Sequence, residues 1–340
     1  MTARSIGAVV VLAGAAAALA AGSGSASPKS TTSAKPLIVL VTDINQLNDH
    51  GFNQLAYQGL LRAERTLKIS GTVYQSPSAA DYIPNLAQAA RKGAALVISV
   101  GFDQANAVAA AAKQFPKTRF AIIDVDQKTL TGKPKNVEGL VFTEQQVGYL
   151  AGYLAGLVEK GRGGQATIGS VGGQKQPPVD RYIAGYRAGA TAADPGIKLL
   201  NAYSQDWVDQ AKCKTAALDQ INAGANIVFQ VAGGCGLGVL DAAKEKGVWG
   251  IGVDADQSYL GPQVLTSAMK RVDTSVYATI QQTLAGKFAG GTNAVFSLNN
   301  NGVGLGKISA TVPAADVAKV KAIAKQIVSG KIGPIPTTVP

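Results

Sequence analysis

The segment NIVFQVAGGCGLGVLDAAKEKGVWGIGVDAD, residues 226–256, decides the fold class. An apolar run ends in a glycine turn, an Ala-rich helical stretch follows, and a second apolar run ends at Asp254. Continuous Val/Ile-rich runs of this kind suit strands covered on both faces of a parallel sheet. The same order occurs upstream. Gly101 follows VISV, and Asp124 opens DVDQ 23 residues later, as Asp254 opens DADQ 21 residues after Gly233. Two copies of one strand–turn–helix–strand unit imply two lobes of similar construction.

Working outward, further strands are predicted at 37–43, 95–101, 120–126, 139–145, 166–173 and 197–204. Helical segments are predicted at 53–68, 147–160 and 209–222. This alternation gives an α/β protein with doubly wound layers and right-handed crossovers. The first lobe is expected to comprise 37–142 plus 260–297, and the second 143–259 plus 298–340.

Composition narrows the function. The chain has 340 residues, 46% of them hydrophobic and 16% charged, enough to bury sizeable cores. One histidine and two cysteines leave no ligands for an ordinary metal centre, and any His-centred triad could draw only on His50. The net charge of +11 is spread along the chain, not clustered among aromatics, so no nucleic-acid partner is expected. His50 reads as a solvated loop residue.

Residues 1–26 read as a cleavable export signal: Arg4, an apolar stretch from Ile6 to Ala21, then small residues. The stretch is shorter than the roughly 20 residues a spanning helix needs. Residues 27–36 read as a flexible leader. Export places Cys213 and Cys235 in an oxidising compartment, which favours a disulfide over a metal or redox pair; two buried thiols are the alternative.

Ligands of open α/β sheets bind beyond the carboxyl ends of the strands. Asp43, Asp124 and Asp254 stand there, either facing one inter-lobe cleft or capping the helices that follow. Phe52 and Trp207 follow strands too, and either grip a planar ligand or serve as hydrophobic staples. Lys270, in TSAMKRVD, either reaches the cleft or faces solvent. Gly234, Gly236 and Gly238 imitate a dinucleotide fingerprint, but the third glycine comes one residue early and the unit lies deep in an exported chain. No nucleophile–base pair is evident, so neither an enzyme nor a cofactor is expected.

TDINQLNDHGFNQLAYQGL, LVISVGF, FAIIDVD, NVEGLVFTEQQVGYLAGYLAG, the 226–256 segment, TSAMKRVDTSVYATI and NNNGVGLG together resemble, in order, the basic membrane protein (BMP) family. Its members are substrate-binding proteins of ABC importers and include a purine nucleoside receptor. The resemblance implies a type I periplasmic-binding-protein fold, two lobes on a three-stranded hinge. It implies a monomeric receptor handing a nucleoside, or a sugar-like solute, to a membrane permease. By the same resemblance Phe52 and Trp207 sandwich the base, Asp254 takes the ribose, and Asp43, Asn53, Asp124, Gly233 and Lys270 complete the site. The chain departs from the family in Ile44–Asn45–Gln46 where glycines are frequent, in Gly51 for Ser, in Trp207 for Phe, and in lacking a lipobox cysteine. The last points to a soluble or released extracytoplasmic form.

Overall fold

The computed structural model describes residues 34–340. The expected export segment 1–26 and all but the end of the 27–36 leader lie outside the described residues. The first sheet contains β1 (Leu37–Val41), β2 (Ser70–Tyr74), β3 (Leu96–Ser99), β4 (Phe120–Ile123), β5 (Val137–Phe142) and, from much later in the chain, β12 (Asn293–Phe296). Their order is β12-β5-β4-β3-β1-β2, all parallel. The second sheet contains β6 (Thr167–Gly172), β7 (Lys198–Leu199), β8 (Ala202–Tyr203), β9 (Ile227–Val231), β10 (Trp249–Asp254), β11 (Val264–Lys270) and β13 (Val303–Leu305). There the order is β13-β11-β10-β9-β6-β7, with β8 also on β6 and only β13 antiparallel.

The strands carry apolar residues on both faces because helices cover both. Ile38 and Leu40 pack on one side of β1 with Ala56 and Leu60 of α1 (Phe52–Thr66), while Val39 and Val41 pack on the other with Leu86 of α2 (Tyr82–Arg91) and Val108 of α3 (Ala105–Gln114). In the second sheet, α6 (Gln210–Asn222) and α7 (Leu237–Lys246) cover one face around Val171, Val228 and Val239. The other face carries α4 (Glu144–Arg162) and α5 (Pro177–Ala193).

A glycine stripe sets the α4–α5 packing. A Cβ on Gly148, Gly152 or Gly156 would run into the backbone of α5, and one on Gly185 or Gly189 into that of α4. The spacing of four keeps the stripe on one helix face, so the backbones meet without intervening side chains. This close approach puts Glu144, which opens α4, beside the first turns of α5.

Three expectations are corrected. Residues 264–270 were expected in the first lobe but hydrogen-bond to β10 and β13 in the second sheet, because Leu265 and Ala268 complete its buried face. The chain changes sheets only after Lys270, entering α8 (Val272–Leu284), which packs on α1. Second, the strand expected over 197–204 is two short edge pieces, interrupted at Asn201, whose Oδ1 accepts from Ser170 Oγ (2.8 Å). Third, the strand expected over 139–145 ends at Phe142, and Glu144 begins a helix, where an acidic side chain complements the N-terminal dipole. The last helix, α9 (Ala314–Val328), lies against α4. No helix among the described residues is long and apolar enough to cross a membrane.

Candidate functional site

Between the carboxyl ends of the two sheets lies a partly open pocket. Asp43, Phe52, Asp124, Trp207, Gly233, Asp254 and Lys270 line it, together with Asn45, Phe102, Pro178, Val179, Tyr182, Val231 and Val253, which sequence reasoning did not single out. Asn53 is absent from this lining. It is wholly buried behind Asp43, its Nδ2 donating to Asp43 Oδ1 (2.6 Å) and to the Asn45 carbonyl (2.9 Å). It positions the acid.

Asp43 does not cap α1. Asp49 does, accepting from the backbone amides of Gly51 (3.0 Å), Asn53 (2.8 Å) and Gln54 (3.1 Å). That leaves Asp43 free to face the cavity, held by Asn53 and by the Asn45 amide (2.8 Å). Burial pushes its carboxyl up to about 7, although the amide donors pull the other way.

Asp124 and Asp254 close the two sequence repeats, and both adopt left-handed φ angles, 70° and 61°. Such backbone is uncommon outside glycine and persists where the surroundings enforce it. Lys270, 3% exposed at the end of β11, answers both acids: its Nζ lies 2.7 Å from Asp124 Oδ2 and 4.0 Å from Asp254 Oδ1. Asp254 Oδ1 also accepts from the Tyr182 hydroxyl at 3.4 Å. Burial above all pushes the Asp254 carboxyl up to about 7, against the pull of Lys270. The other Asp124 oxygen, Oδ1, is buried without a hydrogen-bond partner.

The apolar walls are aromatic. The Phe52 ring lies 4.8 Å from Lys270 Nζ, a cation–π distance. Phe102 meets Trp207 edge-on with centroids 5.6 Å apart. Trp207 can lie there because position 173 is glycine; a Cβ at Gly173 would occupy its six-membered ring. The indole Nε1 is buried without a partner. The Trp207 carbonyl accepts from the Cys235 amide (2.8 Å), and a disulfide joins Cys235 to Cys213 of α6, with Cα atoms 5.6 Å apart. The bridge thus anchors the Gly233 turn and the Trp207 loop to one helix.

His50 is not a free loop residue. Gln257 Nε2 donates to its carbonyl (3.2 Å) and the Tyr259 hydroxyl sits 2.8 Å from its Nδ1, so a loop after β1 touches the segment after β10. Charge is uneven around the site: Asp43, Asp124, Asp254 and the buried Glu144 face Lys270 and Arg181. Such a cavity offers acceptors to hydroxyl and N–H donors, and rings to a flat apolar face. Among the described residues no group of His, Cys, Asp and Glu is arranged to hold a metal ion.

The Bmp family model, described as ABC transporter substrate-binding protein PnrA-like, matches residues 37–338. The ABC transporter nucleoside-binding protein BmpA of Lactococcus lactis is 38% identical, over 98% of this chain and 97% of its own length. An ABC transporter solute-binding protein of Aeropyrum pernix K1 has a similar structure, with TM-score 0.79 and 24% identity over 88% of this chain and 94% of its own. A periplasmic solute-binding protein from Actinobacillus succinogenes 130z, solved with bound D-allose, aligns with TM-score 0.61 and 16% identity over 77% of this chain and 95% of its own. These likenesses show the two-lobed solute-binding fold of the type I class.

Proposed function

The chain belongs to the Bmp family of PnrA-like substrate-binding proteins of ABC transporters, which work outside the cytoplasm, and we propose that the solute it captures is a nucleoside. The observation that carries the reading is the pocket that combines aromatic walls with carboxylates from both sheets. Phe52 and Trp207 stack the base. Asp43 and Asp124 take its polar edge, and Asp254 accepts from the ribose hydroxyls, with Lys270 balancing the acids. Base–aromatic stacking contributes roughly 1–3 kcal/mol per base, so two rings supply about half of the roughly 8 kcal/mol of a micromolar site.

The mechanism is closure. The ligand bridges both lobes and stabilises the closed population by its greater affinity for it. The closed complex then docks on a membrane permease. The role is capture and delivery, not catalysis, by a monomer exported through its N-terminal segment. The test is mass spectrometry of whatever co-purifies, followed by titration with adenosine, guanosine, inosine and uridine. Micromolar or tighter binding of at least one is expected, and no binding by any would overturn the reading.

A sugar is the second reading. The D-allose complex of the Actinobacillus succinogenes neighbour shares the fold, and an indole such as Trp207 can also stack on a sugar ring. Ligand released by denaturation absorbs near 260 nm if it carries a nucleobase and does not if it is a sugar.

A further inference from the structure

Two charged side chains stand behind the ligand cavity without lining it. Glu144 is wholly buried, and Arg181 on α5 has a side chain 22% exposed on a neighbouring cleft that Asp124 also borders. The glycine stripe between α4 and α5 brings them together. Arg181 Nε donates to Glu144 Oε2 at 2.6 Å. The second carboxylate oxygen, Oε1, accepts no hydrogen bond and faces Lys270 Nζ at 3.5 Å.

Lys270 thus pairs with one pocket-lining acid, Asp124, and Arg181 borders the same neighbouring cleft as that acid. Lys270 engages Asp124 Oδ2, and Oδ1 stays unpartnered. Arg181 already feels the charges of Asp124 and Asp126, after the stronger pull of Glu144. A half-buried guanidinium beside carboxylates prefers to grip one of them with two parallel hydrogen bonds. Were Glu144 neutral, the acid left for Arg181 on the cavity side would be Asp124, and its free oxygen would be consumed.

We propose that Glu144 is a positioning residue for ligand capture: by holding Arg181, and by sharing the Lys270 ammonium, it keeps Asp124 Oδ1 open to the ligand. The inference rests on the nucleoside reading above for the identity of the ligand, but its geometry can be tested without one.

Glu144→Gln, which keeps the shape and removes the charge, lowers adenosine or inosine affinity by roughly tenfold or more in calorimetric titration, and Glu144→Gln/Arg181→Gln recovers it to within about threefold. A merely structural glutamate gives no such recovery. Unchanged affinity in the single variant, or an equal loss in the folded double variant, overturns the proposal. Should Glu144→Gln not fold, Glu144→Asp is compared with Glu144→Asp/Arg181→Gln in the same way. A crystal structure of the ligand-free single variant provides the independent arm. Arg181 bonded to Asp124 is the expected result, and Arg181 still at position 144 overturns the proposal whatever the solute proves to be. Failure of wild-type protein to bind any nucleoside refutes the ligand assignment alone.

Discussion

The unit from Gly101 to Asp124 and the unit from Gly233 to Asp254 share a backbone plan and differ in what they present to the cavity. In both, the turn glycine has positive φ, 101° and 55°, and the closing aspartate is left-handed. The first unit follows its glycine with the Phe102 ring, and its acid is fastened to Lys270 at 2.7 Å. The second follows its glycine with Gly234 and a bridged cysteine, and takes its ring from Trp207 elsewhere. Its acid stands 4.0 Å from the same ammonium and is pushed up to about 7. One backbone device delivers a carboxylate twice, and the position of Lys270 decides which of the two is paired directly with its ammonium.

Removing that lysine breaks the comparison at its root. Lys270→Met leaves Asp124, Glu144 and Asp254 without their shared cation, and breaking a buried pair typically costs about 3–5 kcal/mol. Urea unfolding at pH 7.5 should show a loss of that order, shrinking as the pH is lowered and the acids protonate. A loss below about 1 kcal/mol, the range of exposed ion pairs, would mean that solvent screens the cluster.

Next in size is the bridge, which the first unit lacks. Cys213→Ala/Cys235→Ala should cost about 2–4 kcal/mol through the 22-residue separation it closes. It should also raise the ligand dissociation rate, because the Trp207 loop loses its anchor. An unchanged rate in stopped-flow displacement would confine the bridge to stability.

The contrast is sharpened by pH. The Asp254 carboxyl titrates near 7 in the fold and near 3.8 when unfolded. Between those values the folded chain keeps a proton that the unfolded chain has released, so the contribution of Asp254 to stability falls as pH rises through the window. Stability of Asp254→Asn relative to wild type should therefore increase from pH 4 to pH 7. Asp43 shares the window and remains, so the wild-type slope is reduced and not abolished. Ligand affinity should rise through pH 7 in wild type, as the carboxylate that accepts ribose hydroxyls forms. A flat affinity profile contradicts that role for Asp254.

The smallest contrast lies in the turns. Gly101→Ala and Gly233→Ala each force a side chain into positive φ at about 1–2 kcal/mol. At Gly101 the added Cβ would also press on Asp43 Oδ2 at 3.1 Å, whereas at Gly233 its nearest neighbours are at 3.6 Å. Thermal unfolding should rank the first variant as the less stable.

The place of the strand-end acids in the pocket lining was legible in the sequence because sheet topology dictates what lies beyond the strands' carboxyl ends, and the internal repeat marked Asp124 and Asp254 together. Trp207 and Phe52 were legible as rings in polar loops of an aromatic-poor chain. Glu144, Arg181 and Tyr182 were not, since they reach the site only through the meeting of two helices, and their glycine stripe reads locally as weak helix propensity. A hint existed in the spacing of Gly148, Gly152 and Gly156. Phe102 could have been found from its place directly after the repeated glycine. The allegiance of 264–270 was hidden because an apolar strand carries no mark of which sheet it joins.

The chain passes between the sheets after β5, after β11 and after β12, and neither layer is a continuous stretch of polypeptide. A chain emerging N-terminus first cannot finish its first half and move on: that half waits for an edge strand that begins only at Asn293. Both jaws must mature together and late, so truncations well before the C-terminus should cripple the N-terminal jaw as surely as the other.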